Sequence, residues 1–175
     1  MREPLDAEEL NRFMIELGRV AKSPRTVFLT GGASALLFDW RETTIDVDLK
    51  FDPEPSGVFS AIPSLKDKLR VNVELAAPDD FVPALPERKK RCIKICTHND
   101  VDFYHFDFYT QALSKLERRH AKDLLDVEQM VAHGLVEKPL LATLFASLSK
   151  DDFARYPSIE YRQLAEEVSE LSQSL

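Results

Sequence analysis

Two aspartates, Asp46 and Asp48, alternate with Ile45, Val47 and Leu49 in the stretch TIDVDLKF. A β-strand points successive side chains to opposite faces. Both carboxylates therefore share a face with Lys50, while Ile45, Val47, Leu49 and Phe51 share the other. A second alternating run, RVNVELA from Arg70 to Ala76, repeats the arrangement, with Val71, Val73 and Leu75 opposed to Arg70, Asn72 and Glu74. If the two strands are neighbours, Asp46, Asp48 and Glu74 project from the same side of one sheet. Carboxylates that close repel one another, and burying an unpaired one is costly. Open water, basic partners or a divalent metal make such a cluster tolerable. Mg²⁺ prefers oxygen ligands and takes one or two carboxylates together with substrate phosphate oxygens. Two such ions about 3.5–4 Å apart stabilise both the attacking and leaving oxygens of a phosphoryl or nucleotidyl transfer. The structural alternative is the solvated outer face of an edge strand, which an isolated Asp-x-Asp fits equally well.

Upstream, the apolar run Thr26–Thr30 ends in Gly31-Gly32 before a segment, Ala33–Phe38, that suits a helix start. Backbone N–H groups at a helix N-terminus attract anions, and glycine lets a ligand approach where a Cβ would block it. Ser34 adds a hydroxyl. One end of the sheet then offers a phosphate cradle beside a strand that offers metal ligands.

The elements that position these residues follow from periodicity. Asp6 and Glu9 fit a capping box, and Leu10, Phe13, Met14 and Leu17 recur on one helical face, with Pro24 as terminator. Thr44–Phe51 reads as a strand, Pro53 and Pro55 as a turn, and Ser56–Lys68 as a helix interrupted at Pro63. After the Arg70–Ala76 strand come a proline-punctuated loop, Pro78–Pro86, and two strands, Arg91–Cys96 and Val101–Phe106. From Tyr109 the pattern is helical, with Gly134 as a C-cap, Pro139 in a first turn and a last helix over Ser158–Leu171. The expected fold class is α+β: a mixed sheet flanked by helices, with a C-terminal helical layer. We divide it into a core over 1–107 and a helical region over 108–175.

The bulk properties set limits. A chain of 175 residues suits one domain or one domain with an appendage. No apolar run reaches the roughly 20 residues of a membrane span, and MREPLDAEEL lacks a signal-peptide pattern; the expected compartment is the cytoplasm. Cys92 and Cys96 are too few for a zinc site and read as half-buried strand residues. The net charge of −7 argues against indiscriminate binding to nucleic acid or anionic membrane. Two local basic runs, Arg88–Arg91 and Arg118–Lys122, read as solvated surface or as a docking patch for phosphates or RNA.

The stretch TGGASALLFDWRETTIDVDL resembles the nucleotidyltransferase superfamily, whose signature is an apolar residue, Gly, then Gly or Ser, and after a spacer Asp-apolar-Asp/Glu-apolar. It looks like the bacterial toxin-type (abortive-infection) and uncharacterised nucleotidyltransferase-like branch, in which a Gly-Gly/Ser-x-Ala-Leu run leads to Arg, Thr and Asp-x-Asp. Arg41 sits one residue further from the aspartates than that pattern has it. LSKLERRHAKDLLDV is similar to the branch's later motif, with Lys115, Lys122, Asp123 and Asp126 in its places. The resemblance implies that Asp46 and Asp48 bind two Mg²⁺ ions and that Glu74 positions one of them or activates the acceptor hydroxyl. Asp107 and Asp102 are reserves for the third carboxylate. It further implies that Gly31, Gly32 and Ser34 hold the triphosphate and that Lys115 meets a phosphate or the third carboxylate. The implied reaction transfers an NMP from an NTP to an acceptor hydroxyl or phosphate (tRNA or another RNA, a protein or a small molecule) and releases pyrophosphate, with an antitoxin protein as a further partner. The rival within the fold is a catalytically weak or inactive binding module. For Asp123 and Asp126 the structural alternative is i,i+4 pairing with Arg119 and Lys122 on a solvated helix. A short-chain dehydrogenase is excluded, because no glycine follows TGGAS in the G-x-x-x-G-x-G manner.

Overall fold

The computed structural model describes residues 4–21, 25–53 and 61–174. Pro24, Pro55 and the first residues of the expected Ser56–Lys68 helix lie outside them. The chain forms two compact units, Met1–Ala77 with Ile93–Phe106, and Pro78–Cys92 with Asp107–Leu175.

The first unit is built on a five-stranded mixed sheet in the order β3-β2-β1-β5-β4. Its strands are β1 (Arg25–Thr30), β2 (Asp46–Asp52), β3 (Asn72–Glu74), β4 (Ile93–His98) and β5 (Val101–His105). β1 pairs antiparallel with β2 and parallel with β5; β2 pairs parallel with β3, and β4 antiparallel with β5. This is the α+β class expected. Helix α1 (Ala7–Val20) starts at the Asp6/Glu9 capping box. It buries Leu10, Phe13, Met14 and Leu17 in a core shared with Val27 and Leu29 of β1, Val47 and Leu49 of β2, and Phe103 of β5. Ile62 and Leu65 of α3 (Ala61–Leu69) complete that layer, and the described part of the helix includes Pro63, so no interruption falls there. A short helix, α2 (Gly32–Leu37), follows β1 directly.

The alternation of β2 holds: Val47, Leu49 and Phe51 are buried, while Asp46, Asp48 and Lys50 are half-buried on the opposite face. It stops where pairing stops. Ile45 is 59% exposed and Leu75 48% exposed, so neither joins the apolar face. Both lie just outside strands that begin at Asp46 and end at Glu74, where the pleat no longer dictates side-chain direction.

The second unit carries α4 (Arg88–Arg91), α5 (Phe108–Arg118), α6 (Ala121–Ala132), α7 (Lys138–Ala146) and α8 (Tyr161–Gln173). Arg119, in the left-handed region, ends α5, and α6 begins after His120. α7 starts with Pro139 in its first turn, as expected. The chain between α6 and α7 passes through Gly134 at φ 68°. No helix among the described residues is long and apolar enough to cross a membrane.

Candidate active site

The register of the first sheet decides which acidic residues meet. Thr30, the last residue of β1, lies opposite Asp48, and Asp48 lies opposite Glu74. Neighbouring strands are about 4.8 Å apart, so Thr30, Asp48 and Glu74 form one row across three strands. Asp46 and Asn72 face each other in the next row. The Asn72 side-chain amide donates to Asp46 Oδ1 at 2.6 Å and to Glu74 Oε1 at 3.2 Å.

The two glycines close against this row. Gly31 adopts φ 58°, a region that L side chains seldom occupy, and a Cβ built there would lie 2.9 Å from Asp48 Oδ2. The backbone turn is thus pressed against the carboxylate. Gly32 is confined differently: a Cβ would stand 2.0 Å from Thr44 Oγ1, with Arg41 Nη1 at 3.6 Å. Thr44 is held there by a two-way backbone bridge to Leu5 and by its own hydroxyl, which donates to the Asp46 carbonyl at 3.2 Å.

Ser34 lies behind the turn. Its hydroxyl is fully buried, 2.9 Å from His105 Nδ1 and 3.4 Å from the Leu29 carbonyl. The His105 ring packs on Phe38 with centroids 4.8 Å apart, and burial lowers its pKa to about 4. The imidazole is therefore neutral at pH 7, a polar post under the start of α2.

The reserve carboxylates are placed elsewhere. Asp102 belongs to the Thr26 row, four residues along β1 from Thr30, a distance of about 13 Å at strand rise. It accepts from Lys94 and Thr97. Asp107, in the second unit, is buried and accepts from both Nε and Nη2 of Arg91 at 2.9 and 2.8 Å, and from the Thr110 hydroxyl at 2.7 Å. It is the N-cap of α5.

Lys115 also lies in the second unit. Its buried ammonium donates to Asp123 Oδ1 at 3.0 Å and Asp126 Oδ2 at 2.6 Å, and Arg118 adds a contact to Asp123 at 2.9 Å. The Asp-x-x-Asp segment thus turns inward toward α5. Arg119 pairs instead with Glu167, and Lys122 is exposed. The basic run on α4 is partly structural in the same way: Arg88 pairs with Asp79 at 3.0 Å and Arg91 with Asp107, while Lys90 meets Glu87 on the exposed surface. Burial pushes the thiols of Cys92 and Cys96 up, so both stay protonated and are poor nucleophiles at neutral pH.

Asn72, Thr44 and His105 were not singled out from sequence. Strand parity already set Asn72 on the acidic face and could have raised it. Thr44 and His105 gave no such signal, because their partners at Gly32 and Ser34 depend on the fold.

The residues fit a divalent cation on one observation, a glycine turn with no Cβ pressed on the carboxylate of Asp48, with Asp46 on the same face. Among the described residues no three acidic, His or Cys side chains converge closely enough to hold an ion by themselves. No curated protein and no solved structure matches the chain. A family model described as a nucleotidyltransferase of unknown function (DUF6036) matches residues 8–173, nearly the whole chain, and the protein belongs to that family.

Proposed function

We propose that the protein is a Mg²⁺-dependent nucleotidyltransferase that moves an NMP from an NTP to an acceptor hydroxyl. The observation that carries the reading is the Thr30–Asp48–Glu74 row with the Gly31 turn closed against Asp48. Asp46 and Asp48 would hold the metal, with Glu74 beside them. When bound, the cations neutralise the triphosphate and stabilise the charge on the attacking and leaving oxygens. Without a Cβ, Gly31 closes on Asp48 and Gly32 on Thr44, which would set the turn that holds the triphosphate beside the metal ligands, and Ser34 supports that turn from behind through His105. The acceptor oxygen forms a bond to the α-phosphorus as the bond to the bridging α,β-oxygen breaks. The hydroxyl proton passes to Glu74, and pyrophosphate leaves. Positioning and charge stabilisation supply most of the rate. Lys115 donates to Asp123 and Asp126 within the second unit, and this reading assigns it no step.

A role in a toxin–antitoxin pair rests on the resemblance of TGGASALLFDWRETTIDVDL and LSKLERRHAKDLLDV to the toxin-type branch alone. RNA and protein are the acceptors to examine first, in the cytoplasm. One observation favours a second reading, a catalytically weak binding module: the described acidic residues do not gather into a complete metal shell.

The test is calorimetric titration of each of the four NTPs with Mg²⁺, for wild type and for Asp46→Asn/Asp48→Asn. Binding that requires Mg²⁺ and is lost in the double variant supports the site; labelled-NTP transfer to RNA and to protein then identifies the acceptor. A folded protein that binds none of the four with Mg²⁺ leaves the binding-module reading in its place.

A further inference from the structure

Asn72 is not one of the acidic ligands, yet it touches two of them. β3 runs parallel beside β2 with Asn72 opposite Asp46 and Glu74 opposite Asp48. The amide nitrogen lies 2.6 Å from Asp46 Oδ1 and 3.2 Å from Glu74 Oε1. A primary amide carries two N–H hydrogens, one for each carboxylate. Turned the other way, its carbonyl oxygen would face two anions.

We propose that Asn72 is a positioning residue for the divalent-cation site: it clamps Asp46 by one oxygen, presents the other as ligand, and holds Glu74 alongside. The inference rests on the reading of Asp46 and Asp48 as cation ligands. Two carboxylates on adjacent strands repel, and each side chain must be ordered before it can ligate. A neutral donor between them lowers both costs. A lysine or arginine there would do the same, but its positive charge would oppose the cation. Asparagine bridges the acids and leaves their charge intact. Hydrogen bonds from such supporting residues change metal affinity by about 10–100-fold.

The rival role is mechanical, pinning the three-residue strand β3 to the sheet. The two roles separate when metal affinity and metal-free stability are read on the same variants. Mn²⁺ alone is titrated into the full chain and free ion is followed by electron paramagnetic resonance. Wild type, Asn72→Ala, Asn72→Ser and Asp46→Asn/Asp48→Asn are compared, and each is melted without metal. Asn72→Ala is expected to bind Mn²⁺ about tenfold more weakly while its metal-free melting point stays at the wild-type value. Asn72→Ser, which keeps one donor, recovers part of the affinity. Wild-type Mn²⁺ affinity in Asn72→Ala, whether or not its melting point falls, overturns the proposal. If the double aspartate variant loses Mn²⁺ in that case, the cation site stands without Asn72. A wild type that binds no Mn²⁺ removes the cation reading, and this inference with it.

Discussion

Asp46 and Asp48 on β2 and Asp123 and Asp126 on α6 are two pairs of closely spaced aspartates, and the fold treats them differently. Asp123 and Asp126 are buried and meet the Lys115 ammonium and the Arg118 guanidinium. Asp46 and Asp48 are half-buried on a sheet face, where a neutral amide bridges Asp46 to Glu74 and a glycine turn presses on Asp48. Charge compensated by cations of the fold in a buried setting ties two helices together. In the proposed function, charge held in place by a neutral donor on a half-buried face receives a cation from solution. Each spacing puts two carboxylates on one face of its element; the surroundings set the pairs apart.

The largest expected effect falls on the buried pair. Lys115→Ala removes the ammonium that the buried carboxylates of Asp123 and Asp126 share, and should cost about 3–5 kcal/mol, read by chemical denaturation. A variant that instead keeps wild-type stability and loses nucleotidyl transfer would break the comparison and make this cluster part of the working site.

The first unit has its own buried polar pair, His105 with Ser34, and acid should reveal it. The folded pKa of about 4 lies below the ordinary 6.5, so the folded state favours neutral imidazole. This contribution is complete above pH 6.5 and is lost as pH falls toward 4, because the unfolded chain takes up a proton that the folded one refuses. The loss should be on the order of 3 kcal/mol by pH 4. In His105→Asn, stability measured across that range should fall by correspondingly less. An equal fall in both proteins would place the acid sensitivity elsewhere.

Gly32→Ala should cost about 1–3 kcal/mol by overpacking, since its Cβ would stand 2.0 Å from Thr44 Oγ1. Adding Thr44→Ala removes the nearest atom and should restore part of the melting temperature. No recovery would mean that Thr44 is not the obstacle.

The smallest effect on stability sharpens the comparison most. Asp46→Asn/Asp48→Asn should cost about 1 kcal/mol or less of unfolding free energy while abolishing Mg²⁺-dependent NTP binding. A large destabilisation would show that these aspartates, like Asp123 and Asp126, serve the fold.

Much of this was readable in the residues because it is local. The Asp6/Glu9 capping box, the stripe Leu10-Phe13-Met14-Leu17, and the alternation of β2 depend on neighbours within a turn or two, and they set the class of fold and the shared face of Asp46 and Asp48. The nucleotidyltransferase family was legible in Gly31-Gly32 and Asp-Val-Asp-Leu for the same reason. Pairing is non-local, and only the tertiary structure decided it. Register put Glu74 beside Asp48 and Asp102 two rows of that face away, brought His105 under Ser34, and pressed Thr44 against Gly32. Packing of α6 on α5 turned Asp123 and Asp126 inward to Lys115, where i,i+4 pairing on a solvated helix was equally compatible with the chain. A carboxylate's environment, and hence its chemistry, is set by groups far away in sequence.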